Sequence, residues 1–211
     1  MIFKHYLSFS CTFIAQLIQK QILNLKEIIK NISGLPETRS EQLLSIAQSK
    51  KLLKNEYFIT EGQIPRKFCF ALSGLFRYVY IDKEGNEYTK AIIPENNFIS
   101  SYSAMIKDTP SYFFIQALED AEILEINYRD WLSLKKSDPF WDGYLVTQLE
   151  KAYCIKEKRE RDLLLLDAET RYLDFLEVFP LLENRVRLHM VASYLGIKPE
   201  SLSRIRKKLM T

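Results

Sequence analysis

Hydrophobic and polar positions follow three successive regimes along the chain. Up to about Lys50 apolar residues recur at helical intervals. Phe13, Ile14, Leu17, Ile18, Ile22, Leu25, Ile28, Ile29 and Ile32 predict one long amphipathic helix, and a second gathers around Leu43, Leu44, Ile46 and Ala47 after Pro36 and Ser40. From about Leu52 to Asn127 the period shortens to two. Tyr57–Thr60 ends at Glu61-Gly62, Phe68, Phe70 and Leu72 alternate up to Ser73-Gly74, and Leu75, Arg77, Val79 and Ile81 alternate beyond it. Asp82–Asn86 turns the chain into Glu87–Ile93, and Tyr112–Leu118 and Ala121–Ile126 are expected to pair across Glu119-Asp120. Short strands punctuated by Gly or Asp predict a β-roll or barrel.

From Ser137 onward the pattern is helical again. Asp138-Pro139 is a cap and first-turn pair for a helix carrying Phe140, Trp141, Tyr144, Leu145, Leu149, Ala152 and Tyr153 on one stripe. That stripe exceeds what a small roll covers, so Trp141, Tyr144, Leu145, Gln148, Leu149 and Ala152 are expected at an interface with a second copy, with packing inside one chain as the alternative. Asp167 caps a further helix, with Tyr172, Leu173, Phe175, Leu176 and Phe179 expected inward and Pro180 stopping it. Leu188–Leu209 then reads as two helices about a tight turn. Val191, Ala192 and Leu195 face inward, Gly196 supplies a positive φ, and Pro199 opens a helix whose Leu202, Ile205 and Leu209 are expected inward.

Charge sharpens this picture. The chain of 211 residues has a net charge of +3, and Lys198, Arg204, Arg206, Lys207 and Lys208 against Glu200 give Lys198–Thr211 a net +4, leaving −1 for the rest. The last helix thus has an apolar face and, opposite it, a basic hydrogen-bonding face of Glu200, Ser201, Ser203, Arg204, Lys207 and Lys208, with Lys198 just ahead. Arg204 suits guanine, Glu200 cytosine, the serines either role, and the lysines phosphate. A basic amphipathic helix that is solvated or bound to protein is the plainer alternative.

Other chemistry finds little support. Three scattered cysteines and two distant histidines supply neither a zinc site nor an iron–sulfur cluster, and read as reduced thiols of a cytoplasmic protein. The Asp82 turn lacks the glutamate an EF-hand needs, since Ile93 stands twelfth. Glu119, Asp120, Glu122 and Glu125 have no nucleophile or histidine beside them, so no enzyme is expected. The His5–Gln19 stretch is too short and too polar to span a membrane, and no cleavage site makes it a signal peptide.

FCFALSGLFRYVYIDKEGNEYT (Phe68–Thr89), IQALEDAEIL (Ile115–Leu124) and VASYLGIKPESLSRIRKKL (Val191–Leu209) together resemble the Crp/Fnr superfamily of transcription regulators, closest to its divergent Bacteroidetes-type Crp-like members. The resemblance implies an α+β chain made of a cyclic-nucleotide-binding-like β-roll (a jelly roll), a long central dimerisation helix and a C-terminal helix-turn-helix. The implied boundaries are 1–34 for an N-terminal helical extension, 35–136 for the sensor roll, 137–165 for the central helix and 166–211 for the DNA-binding domain. It implies a cytoplasmic homodimer binding double-stranded DNA, with RNA polymerase a further candidate partner and no role for a membrane. Glu200 and Arg204 match base-contacting residues of the family, whereas Pro199 replaces a frequent third contact.

The sensor departs from the family. Ser100-Ser101 stand where cyclic-nucleotide binders carry Gly-Glu, and Ser111-Tyr112 where they carry Arg-Ser/Thr. These four are the candidate ligand residues of a degenerate cassette. Without the guanidinium a buried phosphate lacks its counter-charge, so no cyclic nucleotide or other cofactor is expected unless Arg66, Lys67 or Lys107 compensates. A ligand-sensing or protein-interaction module with a degenerate helix-turn-helix is the alternative function.

Overall fold

A computed structural model describes residues 35–180 and 182–210. The helix expected from Phe13 to Ile32 lies outside the described residues. Two compact units divide the chain between Gln48 and Ser49.

In the first unit, α1 (Glu37–Ser45) buries Ser40 and Leu43, and the Ser40 hydroxyl donates to the Pro36 carbonyl at 3.2 Å. The helical spacing does not reach Lys50 as expected. Ala47–Leu52 is instead strand β1, whose middle residues are exposed. Gln48, Ser49, Lys50 and Lys51 offer no apolar side chain to a helical stripe, and lysines suit a sheet edge. Lys50 pairs with Glu125 at 2.6 Å and Lys51 with Glu122 at 3.4 Å.

The second unit contains the roll. Its further strands are β2 (Tyr57–Ile59), β3 (Lys67–Ser73), β4 (Leu75–Ile81), β5 (Glu87–Pro94), β6 (Phe98–Ile99), β7 (Phe114–Ala117) and β8 (Ala121–Asn127). They form two four-stranded sheets, ordered β1-β8-β3-β6 and β2-β7-β4-β5. Ile59, Cys69, Ala71, Phe76, Ile115 and Ile123 meet between them. The hairpin expected across Glu119-Asp120 is therefore corrected: β7 pairs with β2 and β4, β8 pairs with β3, and this turn carries the chain from one sheet to the other. A hairpin would set Ile115 and Ile123 side by side on one sheet, whereas the crossing makes them opposite walls of one core. The link from β3 to β4 makes the same crossing at Gly74, where φ is +94° and a Cβ would lie 2.4 Å from that of Ala121. Only glycine fits there.

Both faces of β3 are buried. Cys69 and Ala71 look into the roll, while Phe68 and Phe70 look out and are covered by aromatic side chains. Phe68 meets Trp131 edge-on at 5.8 Å. Trp131 is the only fully buried residue described on α3 (Tyr128–Ser137), a helix begun by the Asn127 side chain, which accepts the Arg129 N–H at 2.9 Å. With one apolar anchor, α3 has no periodic stripe to announce it. A short helix α2 (Tyr102–Lys107) follows β6.

The long helix α4 (Phe140–Leu165) has Asp138 as its effective cap, accepting the Phe140 N–H at 2.8 Å. Helix α5 (Ala168–Val178) starts at Asp167, which accepts the Thr170 N–H at 2.8 Å. Tyr172 and Phe175 are buried as expected, but Leu173 is 46% exposed because it falls between their ridges. Helices α6 (Leu188–Tyr194) and α7 (Pro199–Leu209) complete the chain. Tyr172, Phe175, Val191, Ala192, Leu195 and Leu202 share one core with the roll residues Leu75, Ile92 and Leu118.

Candidate functional site

The turn between α6 and α7 is built on Gly196, whose φ is +68°. Its N–H reaches the Ser193 carbonyl at 3.1 Å and the Ile197 N–H reaches that of Ala192 at 3.0 Å, which closes α6. Pro199 opens α7, and Leu202 locks it into the core. Ile205 is half-buried beside it. Leu209, expected inward, is 43% exposed because the last turn of α7 runs past the core.

The opposite face brings most of the expected residues together. Glu200, Ser203, Arg204 and Lys207 occupy one exposed ridge at three- and four-residue intervals, with Lys198 exposed before the helix and Ser201 half-buried at its side. Arg204 forms no ion pair among the described residues, and its only hydrogen bond runs from Nε to the Glu200 carbonyl at 3.4 Å. Lys208 is tethered to Glu169 of α5 at 2.7 Å. The Ser203 hydroxyl donates back to the Pro199 carbonyl at 3.0 Å.

Three polar clamps seat these helices on the roll. The Ser193 hydroxyl oxygen accepts the Thr89 N–H at 2.8 Å and donates to the Glu87 carbonyl at 3.2 Å. Arg159 of α4 donates to the Tyr194 carbonyl at 2.7 Å and lies 4.3 Å over its ring. Arg185 bridges Glu95, at 2.9 Å, and Glu119. The carboxylate cluster is thus spent on structure: Glu119 on Arg185, Asp120 on the Lys54 N–H, Glu122 on Lys51, and Glu125 on Lys50 and Lys67.

In the roll, Ser101 and Ser111 are both 1% exposed and their hydroxyls lie 2.9 Å apart. Ser111 spends its proton on the Phe113 carbonyl at 2.8 Å, so Ser101 is the donor between them. The Ser100 N–H is used by the Tyr78 hydroxyl oxygen at 3.0 Å. Tyr112 is 75% exposed and points away. Phe113 goes inside instead, stacked 5.2 Å from Tyr78. The Ser101 and Ser111 hydroxyls leave a cyclic phosphate no free proton between them, and the Phe113 ring lies near its place. Arg66 and Lys67 are held by Asp108 and Glu125, each at 2.5 Å, and Lys107 is exposed.

The basic residue that does reach this region is Lys90, whose ammonium lies 3.8 Å over the Phe113 ring and 5.8 Å from those of Tyr78 and Tyr80. Burial pushes its pKa down to about 8, helped by the charge of Lys156. No sequence signal marked it, because a register shift between Tyr78 and Val79 sets which β5 side chains join that face.

The stripe expected at a second copy divides. Trp141 is fully buried in its own chain, edge-on to Trp131 at 5.6 Å, and is corrected from interface to core. Tyr144, Leu145, Gln148, Leu149 and Ala152 line a cavity against the roll. The apolar residues that α4 leaves most exposed are Val146, Tyr153, Ile155, Leu164 and Leu165, with Leu149 and Leu163 at the margin. Among the described residues no His, Cys, Asp or Glu cluster could hold a metal ion, and no helix is long and apolar enough to cross a membrane.

The family model of the cyclic nucleotide-binding domain matches residues 49–138. That stretch is similar to the cyclic nucleotide-binding domain family, and over most of its length the chain shares its fold with solved Crp/Fnr regulators. The c-di-GMP-responsive global regulator CLP of Xanthomonas campestris is similar at 16% identity and TM-score 0.69, over 83% of this chain and 92% of that one. FixK2 of Bradyrhizobium japonicum gives 16% and 0.69 over 78% and 85%, and the catabolite activator protein of Thermus thermophilus 22% and 0.54 over 84% of each. No curated protein sequence matches the chain.

Proposed function

We propose that this chain is a sequence-specific, homodimeric DNA-binding transcription regulator of Crp/Fnr type, with α6 and α7 as its helix-turn-helix and no response to cyclic AMP. The observation that carries the reading is α7: one face locked by Leu202, the other presenting Glu200, Arg204 and Lys207 on one exposed ridge. A helix so divided suits the major groove, Arg204 reading a base edge and Lys198, Lys207 and Lys208 neutralising phosphates. We assign this division of labour the domain boundaries 35, 137 and 166.

A single recognition helix spans one half-site, so the function calls for a second copy. Val146, Tyr153 and Leu164 are exposed and fall at helical spacing on one side of α4, and with Leu149 at its edge they form the stripe we assign to the two-fold axis. In its binding form such a dimer places two copies of α7 roughly 34 to 36 Å apart.

Selection of bound sequences from random duplexes, followed by a salt titration on the selected site, tests the reading. A preferred two-fold-symmetric sequence and a steep loss of affinity with salt are expected. Binding with no sequence preference, or a monomer by light scattering at micromolar concentration, overturns it.

A further inference from the structure

Lys208 stands one helical turn beyond Arg204 on α7, yet the two cations are differently engaged. Arg204 forms no ion pair among the described residues. The Lys208 ammonium lies 3.0 Å and 2.7 Å from the two carboxylate oxygens of Glu169, a residue of α5 and not of the reading helix.

The pair joins two helices that are already fixed to one another. Tyr172 and Phe175 of α5 share a core with Leu202 of α7. Arg171, two residues beyond Glu169, donates from Nε to the Leu195 carbonyl at 3.0 Å and from Nη1 to the Leu166 carbonyl at 2.6 Å, which ties the start of α5 to the end of α6. Glu169 itself lies in the first turn of α5, just after the Asp167 cap, where the helix dipole favours a carboxylate. Its reach to Lys208 is thus set by packed helices and not by a loop.

The Lys208 and Glu169 side chains are 69% and 35% exposed. A pair so open to water adds little to folding. For a ligand it matters more. Carboxylate and phosphate oxygens make the same charge-assisted bond with an ammonium, so a phosphate arriving at Lys208 gains its contact only by displacing an acid already seated there. Arg204 demands no such exchange.

We propose, on the regulator reading, that Glu169 is an intramolecular competitor of the DNA backbone, holding Lys208 in the free protein and giving it up only when a phosphodiester takes its place. Because every duplex offers the same phosphates, the competition weakens binding to all sequences by one factor and leaves discrimination to Arg204. Glu169 is a positioning residue that acts through Lys208.

A double-mutant cycle tests this. Affinities of the full-length wild type, Glu169→Gln, Lys208→Gln and the double variant are measured by fluorescence anisotropy on a selected and a random duplex. Physiological ionic strength screens exposed charges farther apart than roughly 8 Å. Glu169→Gln should tighten both duplexes roughly two- to fivefold, the worth of an exposed ion pair, with the thermal melt unchanged. In the Lys208→Gln background the same substitution should gain nothing, since no lysine is left to release. Glu169→Ser gives the same cycle should Glu169→Gln fail to fold. A gain that persists without Lys208 overturns the proposal, because Glu169 would then repel DNA directly. Unchanged affinity on removing Glu169 overturns it equally. A chain that binds no duplex in any of the four forms sinks the regulator reading and this proposal with it, whereas a wild type that binds and a cycle that is additive sinks the proposal alone.

Discussion

The serine pair in the roll and the ridge on α7 have similar chemistry and opposite states. Ser101 and Ser111 are buried, and each has its proton committed within the chain. Arg204, by contrast, is exposed and spends one weak bond on its own helix. Recognition needs polar groups that are held in place yet left short of partners, because a donor already satisfied gains nothing from a ligand. By that criterion the α7 ridge meets the requirement and the serine pair does not.

The hardest way to break this contrast is Ser111→Arg, which restores the guanidinium that nucleotide binders carry. A closed cassette should not tolerate it. An unpaired charge beside Phe113 costs on the order of several kcal/mol, so the variant should melt far below the wild type or fail to fold. A folded variant that binds cyclic AMP would show the cassette to be open.

Two substitutions of similar size should land on different readouts. Ser111→Ala strands the Ser101 hydroxyl and the Phe113 carbonyl and should lower unfolding stability by about 1 to 3 kcal/mol, with the DNA affinity of the folded protein unchanged. Arg204→Ala should leave denaturant unfolding alone and cost about 1 to 3 kcal/mol of DNA binding, with relaxed base preference at one position. The contrast collapses if each moves the other's readout.

Smaller still is Lys207→Ala, expected to weaken all sequences alike and to reduce the logarithmic salt slope by about one. Lys90 adds a dependence on pH. Its folded pKa of about 8 lies below the 10.5 of a free lysine, so between these values the unfolded chain holds a proton the folded chain has released. Stability of the wild type relative to Lys90→Met should therefore rise from pH 8 towards pH 10.5. A flat difference across that window in thermal melts would show that Lys90 is not enclosed by its aromatic neighbours.

Legibility from sequence tracked how local the cause was. The α6–α7 turn could be read because Gly196, Pro199 and the Val191/Leu195/Leu202 spacing act within twenty residues, and β3, β4 and β5 because alternation and the Asp82 turn are equally local. What failed was partnership at a distance. Nothing in Phe114–Asn127 says that β7 and β8 belong to different sheets, since both strands show the same alternation. Trp141 and Leu145 carry a real apolar stripe, but whether it faces the roll or another chain depends on where α3 places Trp131. Lys90 enters its aromatic enclosure through a register shift no composition reveals. The candidate ridge on α7 was therefore visible beforehand.

Leu75, Ile92 and Leu118 lie on the roll yet belong to the core of the C-terminal helices. The family match ends at residue 138, and a fragment cut there would carry these three side chains bare into water. Excision at that point is thus a wound rather than a separation, and the fragment's natural fate is to stick to its own kind. Protease nicking after Leu165 should leave the two pieces clinging together through a gel-filtration column. The roll and the C-terminal helices have one interior between them, which neither can give up.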